Sequence, residues 1–419
     1  MMLFRKEFKR IVCSGVYVLF FAAEFFFAFY TQFWNDMSLG WNSYAPPEPG
    51  GDYGMTVVDD PELLTQNATA DLLQNFISNN FTTYPLGFIH KVHLKGTDKE
   101  KLRMILQMLT GFDDPETYVK EHFESKTLYY DFDTEPTYEY QIPELNVLSR
   151  VSIEDFRALM TEADKILGGG SFYSPEEIDS TFCLAPASYE DVLSEYNALV
   201  NDDKITNGYA RLFCDYHGIF MALLPVFLIA VYLSEDRRSK MEQIIYSRSI
   251  SSAKLMLTRF AALVCAMMLP VLSTAVLANV RVMQVYGVSG LDYFAMFKYS
   301  LIWILPTVIA VTGADMLLMG FLHPVVVVVG QFVFWFFSTN LVSPTSPIGL
   351  FHLTIRHNTC YGRQEFIDNL PIFTENRLLF TALGILCALA SVYVWKCRRE
   401  GKLREIKLLP KLPVHQSEA

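Results

Sequence analysis

The sequence predicts an α-helical polytopic membrane protein: six transmembrane helices, with a helix-rich α+β extracellular domain inserted between the first and second. Three observations carry this. Apolar residues make up 51% of the 419 residues and charged residues only 19%, below the roughly 25% of an average soluble domain. The apolar residues gather into six runs that meet or approach the about 20 residues needed to cross a bilayer core. Charge is also divided along the chain. Residues 34–215 hold 32 Asp and Glu against 12 Lys and Arg, a net of −20, while the rest carries +9. The overall charge of −11 argues against nucleic acid as a partner, and seven Cys are too sparse for a disulfide framework.

Taken in order, residues 1–10 read as a cytoplasmic amphipathic helix, with Leu3, Phe4, Phe8 and Ile11 set against Arg5, Lys6, Lys9 and Arg10. Residues 11–33 form the first span, interrupted only by Glu24. A cleaved signal peptide is the alternative, but the run exceeds the roughly 7–15 residues of such a core and no small-x-small site follows it. It therefore reads as an uncleaved anchor.

Residues 34–215 form the outside domain. Asp60-Pro61-Glu62 opens an amphipathic helix through Leu63, Leu64, Leu72, Leu73, Phe76 and Ile77, and Thr97 to Thr110 reads as a second helix capped by Thr97. Ser152-Ile-Glu-Asp155 and Ser188-Tyr-Glu-Asp191 are capping-box signatures opening helices to Gly168 and about Val200. Gly87 to Leu94 and Thr127 to Ile142 alternate as strands. Chemistry is sparse here. His90 and His93 point to opposite faces of a strand, so solvated histidines are the better reading than a metal site. Asp131, Asp133, Glu135 and Glu139 lack the Gly and spacing of a calcium loop. Cys183 and Cys214 both fall outside and could pair; Asn67-Ala-Thr69 and Asn80-Phe-Thr82 are glycosylation sequons if the source is eukaryotic.

Residues 216–234 are the second span (His217 to Leu233), and residues 235–257 a cytoplasmic loop. Residues 258–396 carry spans three to six: Phe260 to Val280, Tyr299 to Leu322, Pro324 to Phe337 and Leu378 to Trp395. Residues 397–419 are a basic cytoplasmic tail. Lys and Arg crowd the amino-terminal flank, the 235–257 loop and the tail, which places both termini in the cytoplasm. A multi-pass protein of a bacterial plasma membrane is expected, since no eukaryotic targeting signal is evident. Glu24 and Asp315 lie within spans, where a carboxylate costs several kcal/mol and usually faces a bundle interior or cavity; a polar transport path and a structural hydrogen bond both remain open. Pro225, Pro270 and Pro306 stand inside spans two, three and four.

The 235–257 loop is the most informative stretch. Met241, Ile244 and Ile245 form a short apolar stripe on a charged helix, and Ser249 and Ser251 supply a break and a new cap. Such a helix suits a membrane surface or a protein groove. No P-loop, H-E-x-x-H, G-x-S-x-G or Cys/His ligand cluster occurs, so no enzymatic activity is expected of the chain itself.

This loop, read as Glu235-Asp236-Arg237-Arg238, Met241 to Ile250 and Lys254, resembles that of ABC transporter permeases of the type-2 export family. Ser239 and Ser249 stand where the family often has Gly and Pro. The resemblance covers the membrane part, about half the chain, and implies a coupling helix formed by Glu235, Asp236, Arg237, Arg238, Met241, Ile244, Ile245, Arg248 and Ser249. That helix would dock on a separate ABC ATPase subunit, with Phe4 to Arg10 as an interfacial elbow. It further implies a second permease, identical or related, contact with membrane lipid, and no cofactor bound directly, ATP and magnesium being held by the ATPase. The alternatives are a membrane-anchored sensor with an extracellular ligand-binding domain, and an ion-coupled secondary transporter using Glu24 or Asp315.

Overall fold

The computed structural model describes residues 2–31, 46–85, 88–128, 137–239, 241–247, 249–340 and 349–402. It is mostly helical, and its residues group into two compact units. One lies within Glu48–Val192; the other draws on Met1–Pro47, Leu193–Val342 and Ile348–Ala419.

The chain opens with α1 (Met2–Val12) and α2 (Gly15–Ala28), which meet at a 68° bend. Ser14 makes the break: its hydroxyl caps α2 by accepting from the Tyr17 amide and donates to the Ile11 carbonyl. The apolar run expected as the first span is thus divided: its long helix begins at Gly15, and Ile11 and Val12 belong to the preceding one. A uniform apolar run does not reveal such a break.

The Glu48–Val192 unit packs α3 (Pro61–Ser78), α4 (Gly96–Thr110), α5 (Pro115–His122), α6 (Ile153–Leu167) and α7 (Ile178–Phe182), and the division between the units falls within α8 (Tyr189–Asn197). Leu72, Leu73 and Phe76 of α3, Leu102 and Leu106 of α4, and Phe156 and Met160 of α6 are fully buried together in its core. Among the described residues the strands form three separate antiparallel pairs: β1 (Met55–Val57) with β6 (Leu184–Pro186), β2 (Phe81–Thr83) with β3 (His90–Val92), and β4 (Ser125–Leu128) with β5 (Thr137–Tyr140). Asp60, Ser152 and Ser188 bond the amides of their first turns as expected. Thr97 does not: Lys95 is the N-cap of α4, without a side-chain bond, and Gly96 takes φ +57° where a β-branched residue would be strained. After α6 the successive positive φ of Gly168, Gly169 and Gly170 reverse the chain, and the buried Asp164 carboxylate accepts from the Ser171 amide and hydroxyl at 2.8 and 2.7 Å.

The other unit holds α9 (Thr206–Leu223), α10 (Pro225–Arg238), α11 (Glu242–Ser247), α12 (Ser252–Tyr286), α13 (Ala295–Tyr299), α14 (Leu305–Leu318), α15 (Pro324–Asn340), α16 (Arg363–Asp368) and α17 (Leu370–Arg399). Among the described residues four helical stretches are long and apolar enough to cross a membrane: Thr206–Asp236, Ser252–Tyr286, Ala295–Leu318 and Leu370–Arg399; the bent α1–α2 pair makes up to five. Pro324–Thr339 is apolar but shorter. Outward-facing Leu19, Phe26, Leu378 and Leu386 are each more than 60% exposed, surface that suits lipid rather than water. The second span starts at Thr206, well before His217, because its first turns carry Arg211 and Asp215, buried with partners and invisible to a hydropathy reading. Glu235 to Arg238 likewise form the last turn of α10 rather than a loop.

Pro225 separates α9 from α10, Pro270 lies inside α12, and Pro306 opens α14 after a π-helical turn at Ser300–Ile304. Helices α14 and α17 cross at glycines. A Cβ on Gly384 would lie 2.5 Å from the Ile309 carbonyl oxygen, and one on Gly313 would collide with the Gly384 backbone, so the two backbones touch directly.

Candidate functional site

Helix α1 is amphipathic, with one carboxylate among its cations. That carboxylate, Glu7, is turned inward, where the Tyr232 hydroxyl donates to it at 2.5 Å. Arg10, on the same helix, reaches Glu235 at 2.8 Å and Asp236 at 2.9 Å on α10. Arg259, at the start of α12, completes the cluster with Asp236 at 2.6 Å and Glu7 at 3.7 Å. Asp236 and Arg259 are 6% and 2% exposed. Aromatic rings close the sides: Arg10 stands 4.7 Å over Tyr232, and Arg259 stands 5.5 Å over Trp395 of α17. Two arginines and three carboxylates from three helices form one ion-pair network. Breaking a buried pair of this kind by removing one partner costs about 3–5 kcal/mol, so the network holds α1, α10 and α12 in register.

Helix α11 projects beside this network. Its carboxyl-terminal side is tied back by the Tyr246 ring, edge-on to Trp395 at 5.3 Å, and by Arg399, which donates to the Ile250 carbonyl at 2.8 Å. Ser251 then caps α12 through the Lys254 amide. Met241 and Ile244 face outward at 42% and 50% exposure, with Gln243 also exposed. Ile245 is half-buried and Ser249 exposed in a bend.

The stretch read from the sequence as one docking surface is therefore two things. Met241 and Ile244 are presented outward, whereas Asp236 is consumed inside the arginine network and Glu235 is held by Arg10. Asp236 is not available as a surface contact. The side chains of Arg237 and Arg238, and all of Arg248, lie outside the described residues. Glu7, Tyr232 and Arg259 were not expected at the site. The lone acid in a basic amphipathic helix was a signal for Glu7, and the only cation in the first turns of α12 on its apolar side was one for Arg259.

Two further polar groups lie within the spans. Glu24 of α2 and His217 of α9 are fully buried and bonded to each other through His217 Nδ1, with His217 stacked on Phe213 at 4.0 Å. The sequence singles out Glu24 but not its partner, because His217 stands at the edge of the hydropathic segment. Asp315 of α14 is also fully buried, and neither of its carboxyl oxygens has a hydrogen-bond partner.

At the far end of α9, residues 353–363 are strapped to the span. Asp215 accepts from Arg356 Nε at 2.8 Å and from the His357 amide at 3.0 Å. Arg211 donates to Asp203 at 2.5 Å and to His357 Nε2 at 3.2 Å. Burial, and then the Arg211 charge, push the His357 imidazole down to about 4. On α17, Arg377 is caged by the Trp303 and Leu353 carbonyls and by Asn376 and Thr307.

Other expected sites fare less well. All seven cysteines are free thiols, so Cys183 and Cys214 do not pair; Cys214 lies buried on α9. Asn67 spends its amide on the Phe182 carbonyl at 2.9 Å from the middle of α3, a poor position for a glycan, while Asn80 is exposed. His93 bonds the Asn79 carbonyl, and among the described residues no group of three His, Cys, Asp or Glu could hold a metal ion. Asp131, Asp133 and Glu135 lie outside the described residues, as does the side chain of Glu139. No protein-family model, curated protein or solved structure matches the chain.

Proposed function

We propose that the chain is the membrane subunit of an ATP-driven exporter. In this reading it has six spans, with α2 and α15 added to the four long apolar helices, and the Glu48–Val192 unit lies outside the membrane. Both termini face the cytoplasm of a plasma membrane. The observation that carries the reading is α11: a short helix that, with Met241 just ahead of it, presents Ile244 outward while both of its flanks are tied to spans. The Asp236–Arg259 pair ties one flank, and the Arg399–Ile250 and Tyr246–Trp395 contacts tie the other. A helix so placed passes a push from a docked partner into α10, α12 and α17, which a loop of free ends would absorb. The partner is a separate ATPase that holds ATP and magnesium, and a second permease, identical or related, completes the pathway.

The test is a mild-detergent pull-down of the tagged full chain, with an ATPase assay on the eluate. A stoichiometric P-loop subunit lost on Ile244→Glu supports the reading. A folded sample that brings down no ATPase overturns it.

A second reading, an ion-coupled transporter, is favoured by one observation: Asp315 and the Glu24–His217 pair are fully buried within spans. Transport driven by an ion gradient in proteoliposomes without nucleotide, and lost on Asp315→Asn, would establish it instead.

A further inference from the structure

Helix α1 sorts its charges by sign. Arg5, Lys6 and Lys9 are exposed, whereas Glu7 is buried against Tyr232 and Arg259. Among the described residues none of these three outward cations makes an ion pair. The carboxylates that α10 brings to this helix are already engaged: Asp236 is buried with Arg259, and Glu235 is held by Arg10. The result is an exposed helix face with positive charge and no acid to neutralise it.

That face leads into hydrocarbon. Positions 5, 9 and 12 follow one another at i, i+4 and i+3 spacing and so share a side of the helix. Val12 opens an apolar groove of about 620 Å³ that continues past the bend along Tyr17, Val18, Phe21, Ala22 and Phe25. With α2 crossing a bilayer, the 68° bend lays α1 close to the plane of the interface. The basic row then stands at the depth of the lipid phosphates and the groove at the depth of their acyl chains.

We infer that α1 and the adjoining half of α2 form a binding site for an anionic glycerophospholipid. Arg5, Lys6 and Lys9 hold its phosphate, and Val12, Val18, Phe21, Ala22 and Phe25 receive an acyl chain. Charge complementarity selects the headgroup: a zwitterionic lipid brings its own cation to a face that already has three. The inference requires only that α2 lies in a bilayer, and it stands whether or not an ATPase docks on α11.

The experiment uses the full chain in phosphatidylcholine nanodiscs doped with spin-labelled phosphatidylglycerol or spin-labelled phosphatidylcholine. The motionally restricted fraction of each label is read by electron spin resonance. Phosphatidylglycerol is expected to be preferred, with each of Arg5→Gln, Lys6→Gln and Lys9→Gln costing about fivefold in that preference at low salt and added salt weakening it. Ala22→Phe, which fills the groove without changing charge, is expected to reduce the restricted phosphatidylglycerol. The three cations are exposed and unpaired, so the triple variant should elute and melt as the parent does. Equal restriction of the two lipids by the parent chain would overturn the inference. So would a preference that survives the triple variant.

Discussion

Arg259 offers the sharpest test of the ion-pair network. Arg259→Met removes a guanidinium that is 2% exposed, bonded to Asp236 at 2.6 Å and packed over Trp395. Methionine keeps much of the packing, so the loss is mainly electrostatic. Arg10 still reaches Asp236 at 2.9 Å and softens the effect, which places it near the lower end of the range for a broken buried pair, about 3 kcal/mol. For a body of this size that is a fall of about 6–12 °C in the thermal midpoint, read by tryptophan fluorescence in detergent. The double variant Arg259→Met with Asp236→Leu replaces the pair by apolar groups and should recover most of the loss, since such replacements are often near neutral. The cycle of single and double variants then isolates the coupling. As a control, Arg157→Met, on a pair about 40% exposed, should cost under about 1 kcal/mol. A single Arg259 variant that melts with the parent, or a double variant no better than the singles, would refute the assignment of Arg259 and Asp236 to one buried pair.

Other outcomes follow from the same geometry. Gly384→Ala drives a Cβ to 2.5 Å from the Ile309 carbonyl and should destabilise by about 1–3 kcal/mol or more, seen as a lower melting midpoint, while Gly330→Ala, with nothing near it, should not. Ile244→Glu, at an exposed position, should leave the midpoint unchanged yet abolish capture of the ATPase proposed as partner. His357 is lowered from 6.5 to about 4 by burial and Arg211, so its contribution to stability is full above 6.5 and is lost as pH falls towards about 4. That window is worth roughly 3 kcal/mol, and midpoints measured across it should fall less steeply in His357→Gln.

Much of this was legible from the chain alone. The long spans were found because lipid leaves no alternative to an apolar helix, and the caps at Asp60, Ser152 and Ser188 because a short side chain ahead of an amphipathic run has few other uses. What escaped was polar and inward. Hydropathy starts the second span at His217 because Arg211 and Asp215 read as solvent-facing, whereas each bonds the buried His357 from far along the chain. Asp236 looked like a surface charge for the same reason: its neutralising arginines come from residues 10 and 259, and no local pattern links them. Of the docking stretch, the apolar spacing of Met241 and Ile244 was readable, and the inward turn of its acid was not.

The glycine crossing of α14 and α17 bears on how the membrane unit can move. Two helices in backbone contact have no side chains between them to repack, so one cannot slide along the other without lifting the main chains apart. They therefore travel as a single beam. Whatever displaces α14 near Gly313 therefore carries α17 with it.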